Sequence, residues 1–434
     1  MRRAVLAVSL ALISPACVPD DGGSDPDPIV IGDDAEMQGD MLMPGPEPDD
    51  MGAPEWDAET TPDMAPPPEQ ENGLDVVEFD DVEVNAGYSE MLTLDLPDDV
   101  QSITIVGIGD PTVFYSVVHL EGPEGQILVA ENPPGVTITA FDRQLSPFPG
   151  AFKSPNRSAT AATGLATLLA PNNPQVAVGP GEWQFQIAGL GQFGPTTTAM
   201  DIVVYIKRAP AVPERGVLDV HMHFTGSRRW TAANAPDDPD FQTALDRLRE
   251  FYGEIGIEIG EVTYQDIPDR FRAVDSGPQG PGPAALDSTL HEMFALSSYD
   301  NGLSFFFVDR IGEPQFGGAI GGIAGGTPGP MLEPNTVRSG VAVATQLDPN
   351  PLSIGHIMGH EGGHYLGLFH TQEFFGMTDQ IPDTPDGQAG DDNLMFPTVT
   401  SEPASLSPGQ GFVMHMNAAV VSVEAEAQAQ EAAR

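Results

Sequence analysis

The residues whose types and spacing can do chemistry lie in one run, His360-Glu361-Gly362-Gly363-His364-Tyr365-Leu366-Gly367-Leu368-Phe369-His370. Two histidines four apart on an α-helix share a face, about one turn apart and roughly 6 Å along the axis. His360 and His364 are therefore placed to grasp one ion. Glu361, beside the first ligand, can reach a water activated by that ion. Gly367 can adopt positive φ, end the helix and reverse the chain, which lets His370 return as a third nitrogen. Three histidines leave the fourth tetrahedral position for water, the mark of a catalytic rather than a structural zinc site. The pattern HExxHxxGxxH fixes five positions, and its chance occurrence in this chain is on the order of 10⁻⁵. A helix with incidental histidines would not also place the glycine where the geometry demands it.

The elements that must position this run follow a Pro-rich joint, Ala209–Gly216. Val217–Phe224 reads as a strand. Phe241–Tyr252 carries Phe241, Leu245, Leu248, Phe251 and Tyr252 at helical spacing. Ile255–Tyr264 reads as a strand, Ala285–Leu296 as a helix, and Leu303–Val308 as a continuous apolar strand. A glycine-rich stretch, Gly317–Gly329, precedes a further strand, Val341–Gln346. Alternating helices and strands of these lengths predict a mixed α/β sheet. Before the joint, residues 74–208 alternate at period two, as in Gln101–Gly107, Val113–Leu120 and Trp183–Ile187, which predicts an antiparallel β-sandwich-like accessory domain. No cluster of catalytic residue types lies in it, so spacing, docking or shielding is its expected work.

The zinc motif resembles that of the metzincin peptidases. That clan places a Met-containing turn beneath the zinc some tens of residues later, and Asn393-Leu394-Met395-Phe396-Pro397 fits. Leu368-Phe369-His370-Thr371, Asp383-Thr384-Pro385-Asp386, Asn393, Gly322–Pro328 and Ser339–Val343 resemble the pappalysin-like (cytophagalysin) branch most. The resemblance spans residues 216–420. It departs at Pro397, where that branch has tyrosine; the turn is closer to that of matrixins. No tyrosine at that point can then help hold the oxyanion. The branch's disulfides are absent too, since no cysteine follows Cys17. The resemblance implies a metzincin-type catalytic domain that hydrolyses peptide bonds in protein or peptide substrates. Zinc on His360, His364 and His370 would activate water, Glu361 would act as general base, and Gly367 and Met395 would shape the site. The strand near Val341–Gln346 and the glycine-rich approach to it are expected to line the cleft and pair with an extended substrate.

The N-terminus has the layout of an export signal: Arg2 and Arg3, an apolar stretch Ala4–Ile13, and small residues Ser14-Pro15-Ala16. Cys17 follows directly and resembles the lipidated cysteine of a bacterial lipoprotein, although Ser14 stands where that pattern wants leucine. Two fates stay open, a cell-surface lipoprotein anchored through Cys17 or a plain secreted protein. Residues 18–72 hold 17 acidic residues, no basic ones and 11 prolines, a composition for an extended disordered tether. The expected order is a signal peptide (1–16), a tether (17–73), the β module (74–208), the catalytic domain (216–420) and an Ala/Glu-rich tail (421–434).

Across the chain 64 Asp and Glu face 17 Lys and Arg, for a formal charge of −47. Neutralising phosphates needs Lys and Arg, so nucleic acid is excluded as the expected partner. No apolar run is long enough to span a bilayer, which leaves an anchor at Cys17 as the membrane contact.

Other candidates are set beside these. His221 and His223 resemble an amidohydrolase strand motif, but a structural strand is the expected reading. His356, one turn before His360, is expected to pack or to support a ligand. Asp383, Asp386, Asp391 and Asp392 form either a calcium loop with oxygen ligands or a solvated acidic loop. Glu373 is one of many loop carboxylates that the sequence does not single out. Two other functions stay open: a weakly active zinc-bearing surface binding protein, and a metal-dependent amidohydrolase built on His221 and His223.

Overall fold

A computed structural model describes residues 73–423 apart from 159–161, 278–280, 314–317, 374–376, 385–391 and 400–402, together with residues 6–7. Cys17, Asp386, Asp391, nearly all of the signal, the tether and most of the C-terminal tail lie outside the described residues. Among the described residues no helix is long and apolar enough to cross a membrane.

Residues 74–208 build one antiparallel sheet. Thr198–Arg208 pairs with Leu74–Asn85 on one side and Val100–Gly109 on the other, and Gly181–Gly191 pairs with Phe114–Gly122 and Leu92–Leu96. The sequence predicts a sandwich; the strands belong instead to one hydrogen-bonded sheet that curls. The hairpin joining Leu74–Asn85 to Tyr88–Ser89 carries the ladder round the corner, since Tyr88 also pairs with Ala188. A bulge between Met200 and Ile202 helps bend it. Trp183, Phe185 and Ile187, alternating along their strand, meet Ile103, Ile105 and Val204 in one core.

The second sheet runs in the order Ile257–Asp266, Gly216–Phe224, Leu303–Val308, Val341–Ala344, Gly322–Ala324. The first four are parallel neighbours and the last is antiparallel, so the mixed α/β prediction matches the observed directions. Val341–Ala344 is paired on both sides and buried throughout. Of the two segments expected to meet a substrate, this strand therefore has no free edge, and Gly322–Ala324, within the glycine-rich approach, holds the outer place. The helix predicted over Ala285–Leu296 is confined to Thr289–Phe294, because Ser288 caps it by accepting the His291 NH at 3.2 Å. Val421–Ser422, assigned from sequence to the tail, pairs with Gly216–Val217.

Two helices cross beneath this sheet. Asp238 starts Pro239–Glu254 by accepting from the NH groups of Asp240 and Phe241, both at 3.0 Å. Asn350 caps Pro351–Tyr365, accepting from the Leu352 NH at 3.2 Å. The second helix is buried from Ser353 to Tyr365, so it has no solvent face, and apart from His356, His360, Glu361 and His364 its residues there are apolar or small. Gly355, Gly359 and Gly362 face the first helix. A Cβ would stand 2.5 Å from Ala244 O at Gly355 and 2.3 Å from the Tyr252 hydroxyl at Gly362.

The curled sheet packs directly on this part. Ser102 Oγ donates to Met416 O at 2.6 Å, and Thr167 Oγ1 donates to Pro328 O at 2.7 Å. Leu169 joins the core of the second part. Lys207 Nζ, buried, donates to the carbonyls of His415, Asn417 and Val420 at 2.6, 3.0 and 2.5 Å.

Candidate metal centre

The helix Pro351–Tyr365 sets His360 and His364 on one face, and Leu366 caps it. Gly367 follows at φ +111°, in the left-handed region that favours glycine. Its NH bonds to His364 O and the Leu368 NH to Gly363 O, both at 2.9 Å. This reversal carries His370 back to the other two, and all three rings are fully buried. His364 Nε2 lies 3.1 Å from His360 Nε2, which lies 3.3 Å from His370 Nε2.

Each ring's other nitrogen is committed. His360 Nδ1 meets Leu394 O at 2.7 Å, and His364 Nδ1 meets Leu368 O at 2.6 Å. A carbonyl only accepts, so both Nδ1 atoms donate. His370 Nδ1 donates to Glu373 Oε2 at 3.1 Å. Burial would raise the Glu373 carboxyl, but the pull of His370, its hydrogen bond and the Arg157 charge outweigh that and hold it below its ordinary value. Burial, together with repulsion from His370, pushes His360 and His364 well below the ordinary imidazole value. Each ring, when neutral, therefore turns its Nε2 lone pair toward the other two. That arrangement is repulsive unless a cation sits between them. Nitrogens at ~2.0–2.1 Å from a tetrahedral zinc are about 3.3 Å apart, so the observed separations suit one. Among the described residues this is the one group of histidines, cysteines and carboxylates able to hold a metal ion.

Glu361 follows His360 and is fully buried. Neither carboxylate oxygen has a hydrogen-bond partner of normal geometry. Burial pushes its carboxyl well above the ordinary range, opposed by the backbone NH of Ala324. Gly322, at the start of the outer strand, lies against this side chain; a Cβ there would stand 2.6 Å from Glu361 Cγ.

Met395 packs under the helix, where a Cβ on Gly363 would stand 2.6 Å from its Sδ. Its turn serves the ligands through the backbone: Leu394 O holds His360, and Met395 O accepts the Thr371 NH at 3.1 Å.

His221, His223 and Asp383 have other partners. His221 Nε2 donates to Asn301 O at 2.8 Å and its Nδ1 accepts from Thr263 at 2.8 Å, with Tyr299 stacked on the ring at 3.7 Å. His223 stacks on Phe306 at 4.3 Å, and burial pushes it down to about 3. Both belong to the sheet's packing. His356 meets the Phe251 ring edge-on at 5.4 Å. Asp383 accepts from Ser407 Oγ at 2.7 Å and the Gly409 NH at 2.9 Å, so both oxygens are committed to the start of helix Pro408–Met416. Asp392 accepts the Ser405 NH through its backbone carbonyl. Glu373 is the site residue that sequence reasoning did not select. The signal available was the need of the third histidine for an Nδ1 partner close by.

No protein-family model matches the chain, and no curated protein matches it. Among solved structures, metalloproteinase-II from Bacteroides fragilis is similar over 50% of this chain at 12% identity and a TM-score of 0.27. This chain covers 62% of that protein's length. A family two carbohydrate esterase from Clostridium thermocellum in complex with cellohexaose is similar over 54% of this chain and 66% of its own, at 6% identity and a TM-score of 0.15. The overlaps are partial, and the reading of the centre stands on its own geometry: a buried triad of histidines compatible with a metal site.

Proposed function

We propose that the chain is a zinc-dependent endopeptidase of metzincin type. The observation that carries this is the convergence of three buried Nε2 atoms whose Nδ1 atoms are all committed as donors. His360, His364 and His370 would hold the ion. A bound zinc lowers the pKa of water toward ~7 and polarises a carbonyl. Glu361 supplies the proton relay. A buried carboxylate with few hydrogen-bond donors about it is a poor resting anion and a strong base toward a proton placed beside it. It would take the proton from the attacking water and hand it to the leaving amine. Gly322–Ala324 has the outer place in its sheet and adjoins Glu361, so an extended peptide paired along it would bring its carbonyl to the site.

The test is hydrolysis of casein or a fluorogenic peptide by the purified full chain, with zinc measured by elemental analysis. Glu361→Ala should retain zinc and lose activity, whereas His364→Ala should lose both. Activity that survives either substitution overturns the proposal, as does a wild type without stoichiometric zinc. The proposal extends to an exported protein whose Cys17 carries lipid, for which incorporation of labelled palmitate, abolished by Cys17→Ser, is the check.

A further inference from the structure

We infer that the strand Leu165–Ala170 of the N-terminal β-rich part is the floor of the metal centre, with Leu169 a positioning residue for the reversal at Gly367 that returns His370. The inference rests on the metal site proposed above.

Leu165–Ala170 is the end strand of the curled sheet, paired with Val100–Gly109. All six of its residues are buried, and their side chains alternate between two faces. Ala166, Leu168 and Ala170 belong to the core of the β-rich part, with Trp183, Phe185 and Ile103. Leu165, Thr167 and Leu169 face the other way. Leu165 shares a small cluster with Leu332, in the loop that follows Gly322–Ala324. Thr167 Oγ1 donates to Pro328 O of that same loop at 2.7 Å. The next NH, of Gly329, donates to Tyr365 O at 3.0 Å, and the Tyr365 hydroxyl donates to Pro330 O at 3.2 Å. Leu169 joins the core that holds Leu366, Leu368 and Val413. Its Cδ2 lies against Gly367, where a Cβ would stand 2.8 Å away.

The contact falls at the least restrained joint of the metal-binding run. Gly367, at φ +111°, brings no side chain of its own, and glycine has the widest choice of backbone conformation. Within the run only two backbone bonds fix the reversal, from the Gly367 NH to His364 O and from the Leu368 NH to Gly363 O. The surfaces that press on the glycine therefore help decide where the three residues to His370 begin. Leu169 is the nearer of them; Val413 Cγ1 is 3.6 Å from the same Cβ position. Truncating Leu169 leaves a cavity that its surroundings fill only in part, and the reversal is free to settle toward it. A metal site needs its ligands held within about 0.5 Å, so a shift of that size at Gly367 reaches the ion through His370. His360 and His364 stand on the helix itself, so the loss falls on one ligand of three. The β-rich part then contributes a wall to the site, beyond the spacing, docking or shielding that its sequence suggests.

The experiment measures Zn²⁺ affinity of the full chain by chelator competition and the d–d absorption spectrum of the Co²⁺ form, with Tm recorded for each protein. It compares wild type, Leu169→Ala and Leu168→Ala. Leu168 is the control, since it is the same residue type at the next position of the same strand, buried in the other core. Both variants should lower Tm. Leu169→Ala should also weaken Zn²⁺ by ~10–100-fold, as the loss of other supports of a ligating histidine does, and alter the Co²⁺ spectrum. Leu168→Ala should leave both as in wild type. A Leu169→Ala protein with lowered Tm but unchanged zinc affinity and Co²⁺ spectrum overturns the inference, because Leu169 would then be packing only. Equal changes in Leu168→Ala overturn it too, because the strand would then act only through the stability of the whole. If either alanine variant does not fold, Leu169→Val and Leu168→Val are compared in the same way and decide. A wild type that binds no metal overturns the proposed function and this inference with it. A wild type that binds zinc without cleaving peptides overturns the proposed function alone, and metal binding indifferent to Leu169 overturns this inference alone.

Discussion

Asn393 and Gln410 exchange a reciprocal pair of side-chain hydrogen bonds, Asn393 Nδ2 to Gln410 Oε1 at 2.9 Å and Gln410 Nε2 to Asn393 Oδ1 at 3.0 Å. Each oxygen has a second task. Asn393 Oδ1 accepts the Met395 NH at 2.8 Å, and Gln410 Oε1 accepts the Ser407 NH at 2.8 Å. The pair thus ties the start of helix Pro408–Met416 to the turn whose Leu394 carbonyl holds His360.

Gln410→Ala should leave the buried Asn393 amide unpaired and cost about 1–3 kcal/mol. Urea denaturation of Asn393→Ala, Gln410→Ala and the double variant tests this. The coupling energy should be about 0.5–3 kcal/mol, as for residues in one network. Additive losses would show that the two amides act separately.

Gly363→Ala should destabilise the protein even though alanine suits a helix better by up to ~1 kcal/mol. The added methyl would meet Met395 Sδ at 2.6 Å and its Cε at 3.3 Å, and overpacking of that kind costs about 1–3 kcal/mol. Met395→Ala should relieve most of the clash, so the double variant should be more stable than the sum of the singles. A Gly363→Ala protein as stable as wild type would mean that the methionine moves freely.

Burial pushes the Asp379 carboxyl up to about 6 from 3.8, against hydrogen bonds from Thr384 Oγ1 at 2.6 Å and the Ile381 NH at 3.2 Å. A folded-state pKa above the unfolded value means that the native state holds the proton more tightly. The stability this contributes is present below about 3.8 and is lost as pH rises through about 6. Asp379→Asn should therefore gain on wild type between pH 4 and pH 8, read from urea midpoints at the two values. The opposite trend would show that Arg157 stabilises the anion more than burial opposes it.

What could be read from the sequence is what is encoded locally. His360, Glu361, His364, Gly367 and His370 lie within eleven residues, and helix geometry plus one positive-φ glycine turns that spacing directly into a site. Phe241–Tyr252 and Leu303–Val308 show themselves by their own periodicity. The curl of the first sheet is not local: Thr198–Arg208 finds Leu74–Asn85 over more than a hundred residues, and no property of either strand names its partner. The place of Val341–Ala344 inside its sheet depends in the same way on where Gly322–Ala324 settles. Glu373 is one acid among 64, distinguished only by the nitrogen it faces. Leu169, which lies against Gly367, comes from the other side of the Pro-rich joint.

The three carbonyls that hold Lys207 come 208 to 213 residues later in the chain. At synthesis rates of about 5–20 residues per second, they leave the ribosome roughly 10–40 s after the lysine does. Until His415–Val420 arrives, an ammonium destined for the interior has to stay in water. The first sheet can form its ladder early, but the face that carries Lys207 must wait for the end of the chain, so the part made first is among the last to be sealed.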